Sequence, residues 1–206
     1  MLLTYYADVS ALPDQPGRLP LSSYRLAQLA SCRSSERRRQ GIGAELLLIH
    51  ALRSLDPSFL LPLSIEKEPC GKPYLRDSKL FFSLSHSRSF AACAVSDTPV
   101  GIDLEGERPM HEPVLRRCFS EQEQALIRRA DRPDFAFIQL WTQKESYLKA
   151  TGDGLRALNS IDLLSPPPNA SFAHMLLGKM HLSVCVLGQP AGTSLPELVD
   201  LVKEGS

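Results

Sequence analysis

The sequence predicts an α+β protein built as two lobes, residues 1–105 and 106–206. Three observations carry that expectation. Short apolar runs bounded by Gly and Pro dominate the chain up to Glu105, which is the pattern of strands. After Glu105 the balance shifts to cap-marked helical segments, then back to strands. At 206 residues, with no direct internal repeat or low-complexity tract, the chain suits one large domain or two small lobes and buries a substantial core.

Leu2–Val9 reads as a first strand, and Pro13, Pro16, Gly17 and Pro20 mark the loop after it. Ser22–Ala30 suits a short helix. Ser34 suits the N-cap of a longer one from Glu36 to Leu55, whose later turns are filled by Leu46, Leu47, Ile49, His50 and Leu52. Gly41 and Gly43 inside it cost about 1 kcal/mol each relative to Ala, so they predict close backbone approach or a later start. Leu61–Glu66 reads as a strand and 69–74 as a tight loop. Leu80–Ser85 and Ala91–Val95 read as a pair of strands, and Val100–Glu105 as another, entered through Pro99 and left through Gly106. In the second half Ser120 caps Glu121–Ala130, and Pro133 opens the helix that carries Trp141 to Ala150. Gly152 and Gly154 end that helix. Ile161–Leu164 and His181–Leu187 read as strands, with Pro166-Pro167-Pro168 as a hinge-like loop between them. Ser194 caps a last helix, Pro196–Lys203.

Lys+Arg and Asp+Glu are both 23, so the formal net charge is zero and nothing global points to nucleic acid or an anionic membrane. Any attraction for a charged partner is local. The five cysteines are odd in number, widely spaced and without a CxxC, which reads as free thiols in a reducing compartment. The N-terminus lacks a basic stretch before its apolar residues, and Asp8 interrupts them, so it reads as a strand and not as a signal peptide. No apolar run approaches the ~18 residues that span a bilayer. These features predict a soluble, cytoplasmic protein.

Two segments hold the chemistry. In Val100-Gly101-Ile102-Asp103-Leu104-Glu105, strand alternation turns both carboxylates one way and Ile102 and Leu104 the other. In Trp141-Thr142-Gln143-Lys144-Glu145-Ser146-Tyr147-Leu148-Lys149, Glu145 and Lys149 are one helical turn apart and share a face. Lys144 adds a neighbouring cation. Three carboxylates suit a hard divalent cation and two ammonium groups suit phosphate oxygens. Each segment alone also fits a plainer reading: a solvated acidic strand face, or an i,i+4 helix ion pair worth about 0.3–0.5 kcal/mol. Ser83-Leu84-Ser85-His86-Ser87 puts hydroxyls and an imidazole at a strand end, where they contact phosphate or purine, or simply form a polar turn. No G-x-S-x-G elbow accompanies them. Gly71-Lys72-Pro73 offers a cation and a flat ring to a nucleotide, or is only a β-turn. Arg37, Arg38 and Arg39 form a basic run that is either a solvated helix face or a phosphate site. There is no Walker A motif and no G-x-G-x-x-G.

Taken in order, Gly71-Lys72-Pro73, Ser83-Leu84-Ser85-His86-Ser87, Val100–Glu105, Phe119-Ser120 with Glu123, and Trp141-x-x-Lys144-Glu145-Ser146-x-x-Lys149 with Gly152 and Gly154 resemble the Sfp-type 4′-phosphopantetheinyl transferases. The motif-bearing stretch runs over roughly residues 36–155. The resemblance implies two similar α+β lobes related by pseudo-twofold symmetry, in a monomer, with coenzyme A as co-substrate in the cleft between them. It implies transfer of 4′-phosphopantetheine to a serine of an acyl or peptidyl carrier protein, with release of adenosine 3′,5′-bisphosphate. On that pattern Asp103, Glu105 and Glu145 ligate Mg²⁺, for which Mn²⁺ can substitute. Glu145 also helps deprotonate the serine, Lys149 stabilises the leaving phosphate, and Lys144 compensates further charge. Lys72, Pro73, Ser85 and His86 hold the nucleotide. The lysines that some members carry near Tyr24 and Ala27 are missing here, so Arg39 is the expected 3′-phosphate contact, with Arg25 and Arg33 as substitutes. Met110, Val114 and Leu115, rimmed by Arg116 and Arg117, form either a carrier-docking patch or ordinary lobe packing. Two rival functions are a catalytically silent coenzyme A or carrier-binding module, and a magnesium phosphotransferase acting on another nucleotide.

Overall fold

The computed structural model describes residues 1–154, 157–188, 197–199 and 201. In the N-terminal half, β1 (Leu2–Asp8) pairs antiparallel with β5 (Phe90–Ser96), and β5 pairs antiparallel with β4 (Phe81–Ser87). A short β9 (Glu197–Leu198) joins the far edge of β1 in parallel, so the sheet order is β4-β5-β1-β9. Glu197 and Leu198 are thus strand, not helix, while the expected cap Ser194 lies outside the described residues. Helix α1 (Ser23–Ser31) is capped by Ser22, whose hydroxyl accepts from Arg25 N. Helix α2 (Ser35–Leu55) is capped by Ser34, which accepts from Arg37 N. The glycines in α2 are there for close approach: a Cβ on Gly43 would collide with the Val9 side chain, and one on Gly41 would lie 3.2 Å from the Arg25 guanidinium. The strand expected from Leu61 is shorter, β2 (Ile65–Lys67), and it forms a hairpin with β3 (Pro73–Leu75).

In the second half, β6 (Val100–Gly106) pairs antiparallel with β8 (Met180–Leu187), and β8 pairs with β7 (Ala170–Leu177). The expected division after Glu105 therefore falls inside β6, whose backbone partners all belong to the C-terminal half. Ile161–Leu164 is turn and not strand, and β7 takes the third place in the sheet. Helix α3 (Glu112–Cys118) leads into α4 (Glu121–Arg129), which opens on a complete capping box between Ser120 and Glu123. Helix α5 (Pro133–Thr151) ends on Gly152 at φ +84°, the left-handed conformation that a C-terminal glycine supplies cheaply. Among the described residues no helix is long and apolar enough to cross a membrane.

The two sheets lie back to back with one long helix on each outer side. Leu47, Leu48 and Leu52 of α2 pack with Tyr5, Cys93 and Val95 in one core. On the opposite face of the first sheet, Ala92 and Ala94 meet Ile102, Leu104, Leu182 and Val184 of the second. Apolar residues at 102 and 104 go inward, so Gly101, Asp103 and Glu105 face α5. That side is where α5 lies closest to β6. A Cβ on Gly101 would penetrate the Ser146 carbonyl oxygen and come within 2.6 Å of Ala150 N. Gly101→Ala is therefore expected to cost at least the ~1–3 kcal/mol of an overpacked core, because both obstructions are backbone. A denaturant midpoint equal to the parent's would show that α5 can retreat without loss.

Candidate active site

The close crossing at Gly101 brings the Glu145–Lys149 face of α5 onto Asp103 and Glu105. Lys149 Nζ donates to Asp103 Oδ1 at 2.7 Å, Ser85 Oγ at 3.1 Å and the Ile102 carbonyl at 3.1 Å. Asp103 is buried, and its Oδ1 also accepts from the Ser85 hydroxyl at 3.0 Å. Its Oδ2 is buried with no hydrogen-bond partner. Burial pushes Glu145 up to about 7, the Asp103 and Glu105 charges push the same way, and Lys149 and Arg108 oppose them. Glu105 is also raised, by burial first and the Asp103 charge second. Mutual repulsion of this kind means that the three carboxylates share one field.

The serines of β4 join the two sheets. Ser83 Oγ accepts from Ile102 N and Ser85 Oγ from Leu104 N, both at 3.1 Å, and Ser87 hydrogen-bonds Glu105. Hydroxyls at 83 and 85 thus supply backbone partners that a neighbouring strand would otherwise give. They also fix the register that sets Ser85 against Asp103.

A cleft of about 420 Å³ runs from this acid cluster toward the β2–β3 hairpin. Arg25, Lys72, Pro73, His86, Glu145 and Lys149 are among the residues lining it. Lys72 Nζ donates to the Ala150 carbonyl at 2.8 Å, and burial lowers its pKa. His86 is at the mouth. Crowding around its ring, with the Arg25 and Lys149 charges, holds its pKa below the ordinary histidine value. One wall is apolar, with Ile65, Phe82 and Leu84 beside Tyr24. Cations at Arg25, Lys72 and Lys149 beside an apolar wall suit an anionic ligand with a flat apolar part.

Two expected residues do not join this group. Lys144 is fully buried on another face of α5, because consecutive helical residues diverge in direction. Its Nζ pairs with Glu123 Oε2 at 2.7 Å and donates to the carbonyls of Cys118, Leu158 and Ile161. It holds α5 to the start of α4 and to the loop after α5, far from any phosphate role. Arg39 is absent from the cleft lining, and its charge is felt by Asp14, which pairs with Arg38 at 2.6 Å. The arginine found in the cleft lining is Arg25. Glu45, fully buried, receives Arg25 Nε at 3.3 Å and the Ser22 hydroxyl at 3.0 Å, and Gln28 receives Arg25 Nη1 at 2.7 Å. A buried glutamate inside an apolar helix was the available sign. Of the patch after Glu105, Leu115 is core, packed with Phe119 and Ile127, while Arg116 and Arg117 remain exposed.

The donor set fits a hard divalent cation: carboxylate oxygens in one field, one of them buried and unsatisfied. Among the described residues, no three His, Cys, Asp or Glu side chains already form a group that could hold a metal ion unaided. Raised carboxyls also carry a stability consequence. Glu145's folded pKa lies above its unfolded one, so the folded chain binds the extra proton and stability falls as pH rises from about 4.5 toward 7.

Comparison with known proteins gives a consistent picture. Residues 99–190 match the sequence model of the 4′-phosphopantetheinyl transferase superfamily. The chain is 36% identical over 159 residues to the 4′-phosphopantetheinyl transferase HetI of Nostoc sp., covering 71% of this chain and 66% of the relative. It is 36% identical over 120 residues to the 4′-phosphopantetheinyl transferase psf-1 of Bacillus pumilus, covering 57% and 52%. The 4′-phosphopantetheinyl transferase AcpT of Salmonella typhi is 32% identical over 167 residues, covering 77% and 82%. The matches to the first two relatives thus span between half and two thirds of their length.

Proposed function

The chain belongs to the 4′-phosphopantetheinyl transferase superfamily, and on that premise we propose that it moves 4′-phosphopantetheine from coenzyme A to a serine of an acyl or peptidyl carrier protein. Adenosine 3′,5′-bisphosphate is the other product. The observation that carries this reading is the cleft itself, lined by Arg25, Lys72, His86, Glu145 and Lys149, with Lys149 paired to Asp103 and Glu145 in the field of Asp103 and Glu105. A nucleotide linked through a pyrophosphate to a reacting centre would suit that lining. We place the enzyme as a cytoplasmic monomer whose lobes divide near the β5–β6 turn.

Asp103, Glu105 and Glu145 would hold Mg²⁺, or Mn²⁺ in its place. The bound cation supplies charge neutralisation at the pyrophosphate and leaves it open to in-line attack. The serine oxygen bonds to the β-phosphorus while the bond from that phosphorus to the bridging oxygen breaks. The serine proton passes to Glu145, directly or through a water, and a carboxyl pushed toward neutrality is suited to take it. Lys149 meets the charge that grows on the leaving phosphate. Lys72 and Pro73 bracket the nucleotide, and Ser85 keeps Asp103 in register. Incubation with coenzyme A, Mg²⁺ and apo carriers, followed by weighing the carriers, tests the proposal.

The 3′-phosphate contact is assigned to Arg25 and His86 in place of Arg39. Coenzyme A is expected to bind more tightly than its 3′-dephospho form by about tenfold to a hundredfold, the worth of one charge-assisted contact. Arg25→Gln should shrink that preference and Arg39→Ala should leave it, as read by calorimetric titration of both ligands. The reverse pattern would return the contact to Arg39.

A further inference from the structure

Arg25 is a cation already paired from another helix. Its side chain is 11% exposed, and its partner Glu45 is fully buried on α2. Glu45 Oε2 accepts from Arg25 Nε at 3.3 Å and from the Ser22 hydroxyl at 3.0 Å, and Oε1 accepts from Ser22 N. Ser22 Oγ in turn accepts from Arg25 N at 3.1 Å, so Glu45 holds Arg25 by its side chain and, through Ser22, by its backbone. One turn earlier on α2, Gly41 leaves the space that the guanidinium fills: a Cβ there would lie 3.2 Å from Nη1 and 3.6 Å from Cδ. Nη1 donates to Gln28 Oε1 at 2.7 Å, and Gln28 Nε2 donates to the Tyr24 hydroxyl at 2.9 Å. Among the described residues Nη2 has no partner, since the bonds of this guanidinium run from Nε and Nη1. Nor is it sealed away, because the buried unpaired side-chain atoms among those residues belong to Thr4, Asp103 and His181. Its open side is the cleft, which Tyr24, Arg25 and Gln28 line.

We propose that Glu45 is a positioning residue: it acts through Arg25, holds the guanidinium with Nη2 toward the cleft, and so sets the selectivity for a 3′-phosphorylated nucleotide over its 3′-hydroxyl form. This rests on the transferase reading and on the Arg25 contact given above. Charge and position give opposite expectations here. On charge alone, a carboxylate beside Arg25 offsets its attraction for an anion, and removing it would strengthen binding. On position, an arginine free to rotate loses rotamer freedom when it meets a phosphate, and that loss weakens binding. A guanidinium held at Nε by Glu45, at Nη1 by Gln28 and against Gly41 has lost that freedom already. Glu45 also divides its charge among three donors, two of them on Ser22, so it does not cancel Arg25 in full. Position is therefore the larger effect.

Calorimetric titration of coenzyme A and its 3′-dephospho form into variants tests this without turnover. Glu45→Gln keeps the shape and an acceptor for Ser22 N, but turns an amide N–H toward Arg25. It is expected to cut the preference for coenzyme A by about tenfold, the scale of one charge-assisted contact. Affinity for the 3′-dephospho form should stay where it was. In an Arg25→Gln chain the same change should remove nothing further, because Glu45 acts through Arg25. Gly41→Ala presses on the guanidinium from another side without altering any charge. Alanine is the better helix former, so the fold should hold while the preference falls in the same direction. If Glu45→Gln does not fold, Gly41→Ala decides alone. A preference unchanged or increased in the deciding variant, or a Glu45→Gln effect that persists in the Arg25→Gln chain, would overturn the positioning role. A wild-type chain that binds both ligands equally would overturn it together with the Arg25 contact. Carrier weighing separates this role from the reaction. Arm transfer with an unmoved preference defeats the positioning role alone. A preference that depends on Glu45, with no arm transferred to any carrier, supports the positioning role and defeats the transferase reading.

Discussion

Lys144→Ala is expected to cost about 3–5 kcal/mol of folding stability, the scale seen when one partner of a buried ion pair is removed. The side chain is fully buried, and Glu123, its partner, is buried as completely. Glu123 is otherwise satisfied by Ser120 N at 2.8 Å and Leu163 N at 2.9 Å. Without the ammonium, the buried Glu123 loses its ion-pair partner and the carbonyls of Cys118, Leu158 and Ile161 lose their donor. The loop after α5 and the start of α4 should loosen together. Lys149→Ala, five residues on, should be far milder in stability because its ammonium is partly open to solvent. Urea unfolding of the two variants side by side checks the contrast. A Lys144→Ala protein as stable as its parent but slow in turnover would bring Lys144 back into the chemistry.

Glu145→Gln is expected to lower kcat by about 10²–10⁴-fold, the usual contribution of a positioned general base. The same change should raise the melting temperature of the metal-free chain at pH 8. At that pH the folded state must ionise a carboxyl held near neutrality by burial and by Asp103, whereas the unfolded chain ionises it freely. The amide removes that penalty. At pH 4, below both values, the two proteins should melt alike. Gain of stability with loss of function is the signature of a site strained for chemistry. A Glu145→Gln protein that is less stable at pH 8 would mean that the carboxylate is a structural partner of Lys149.

Much of this was legible in the chain because it is local. Ser34, Ser120 with Glu123, and Gly152 mark helix ends through bonds that reach only a few residues. The alternation through Ile102, Asp103, Leu104 and Glu105 separates core from site by geometry alone. The strand β7 was missed since Ala170–Leu177 lacks alternation and is partly buried throughout except at the exposed Leu176. Ile161 looked like strand but serves through its carbonyl, to Lys144. Lys144 itself carried a sign: it stands three residues after Trp141 and four before Leu148, on the stripe that goes inward, while Glu145 and Lys149 share the other. Arg25 could not be read from its neighbours. Its place depends on Glu45, 20 residues away on another helix.

The proposed transferase joins, in one cleft, a nucleotide site to a metal-assisted phosphoryl centre acting on carrier serines. Mass spectrometry of a panel of apo acyl and peptidyl carrier proteins, after incubation with the chain, coenzyme A and Mg²⁺, tests it most directly. At least one carrier is expected to gain one phosphopantetheine arm on its serine, and excess chelator or Glu145→Gln is expected to suppress the gain. Carriers that stay unmodified throughout, or a gain undiminished in excess chelator, would contradict it.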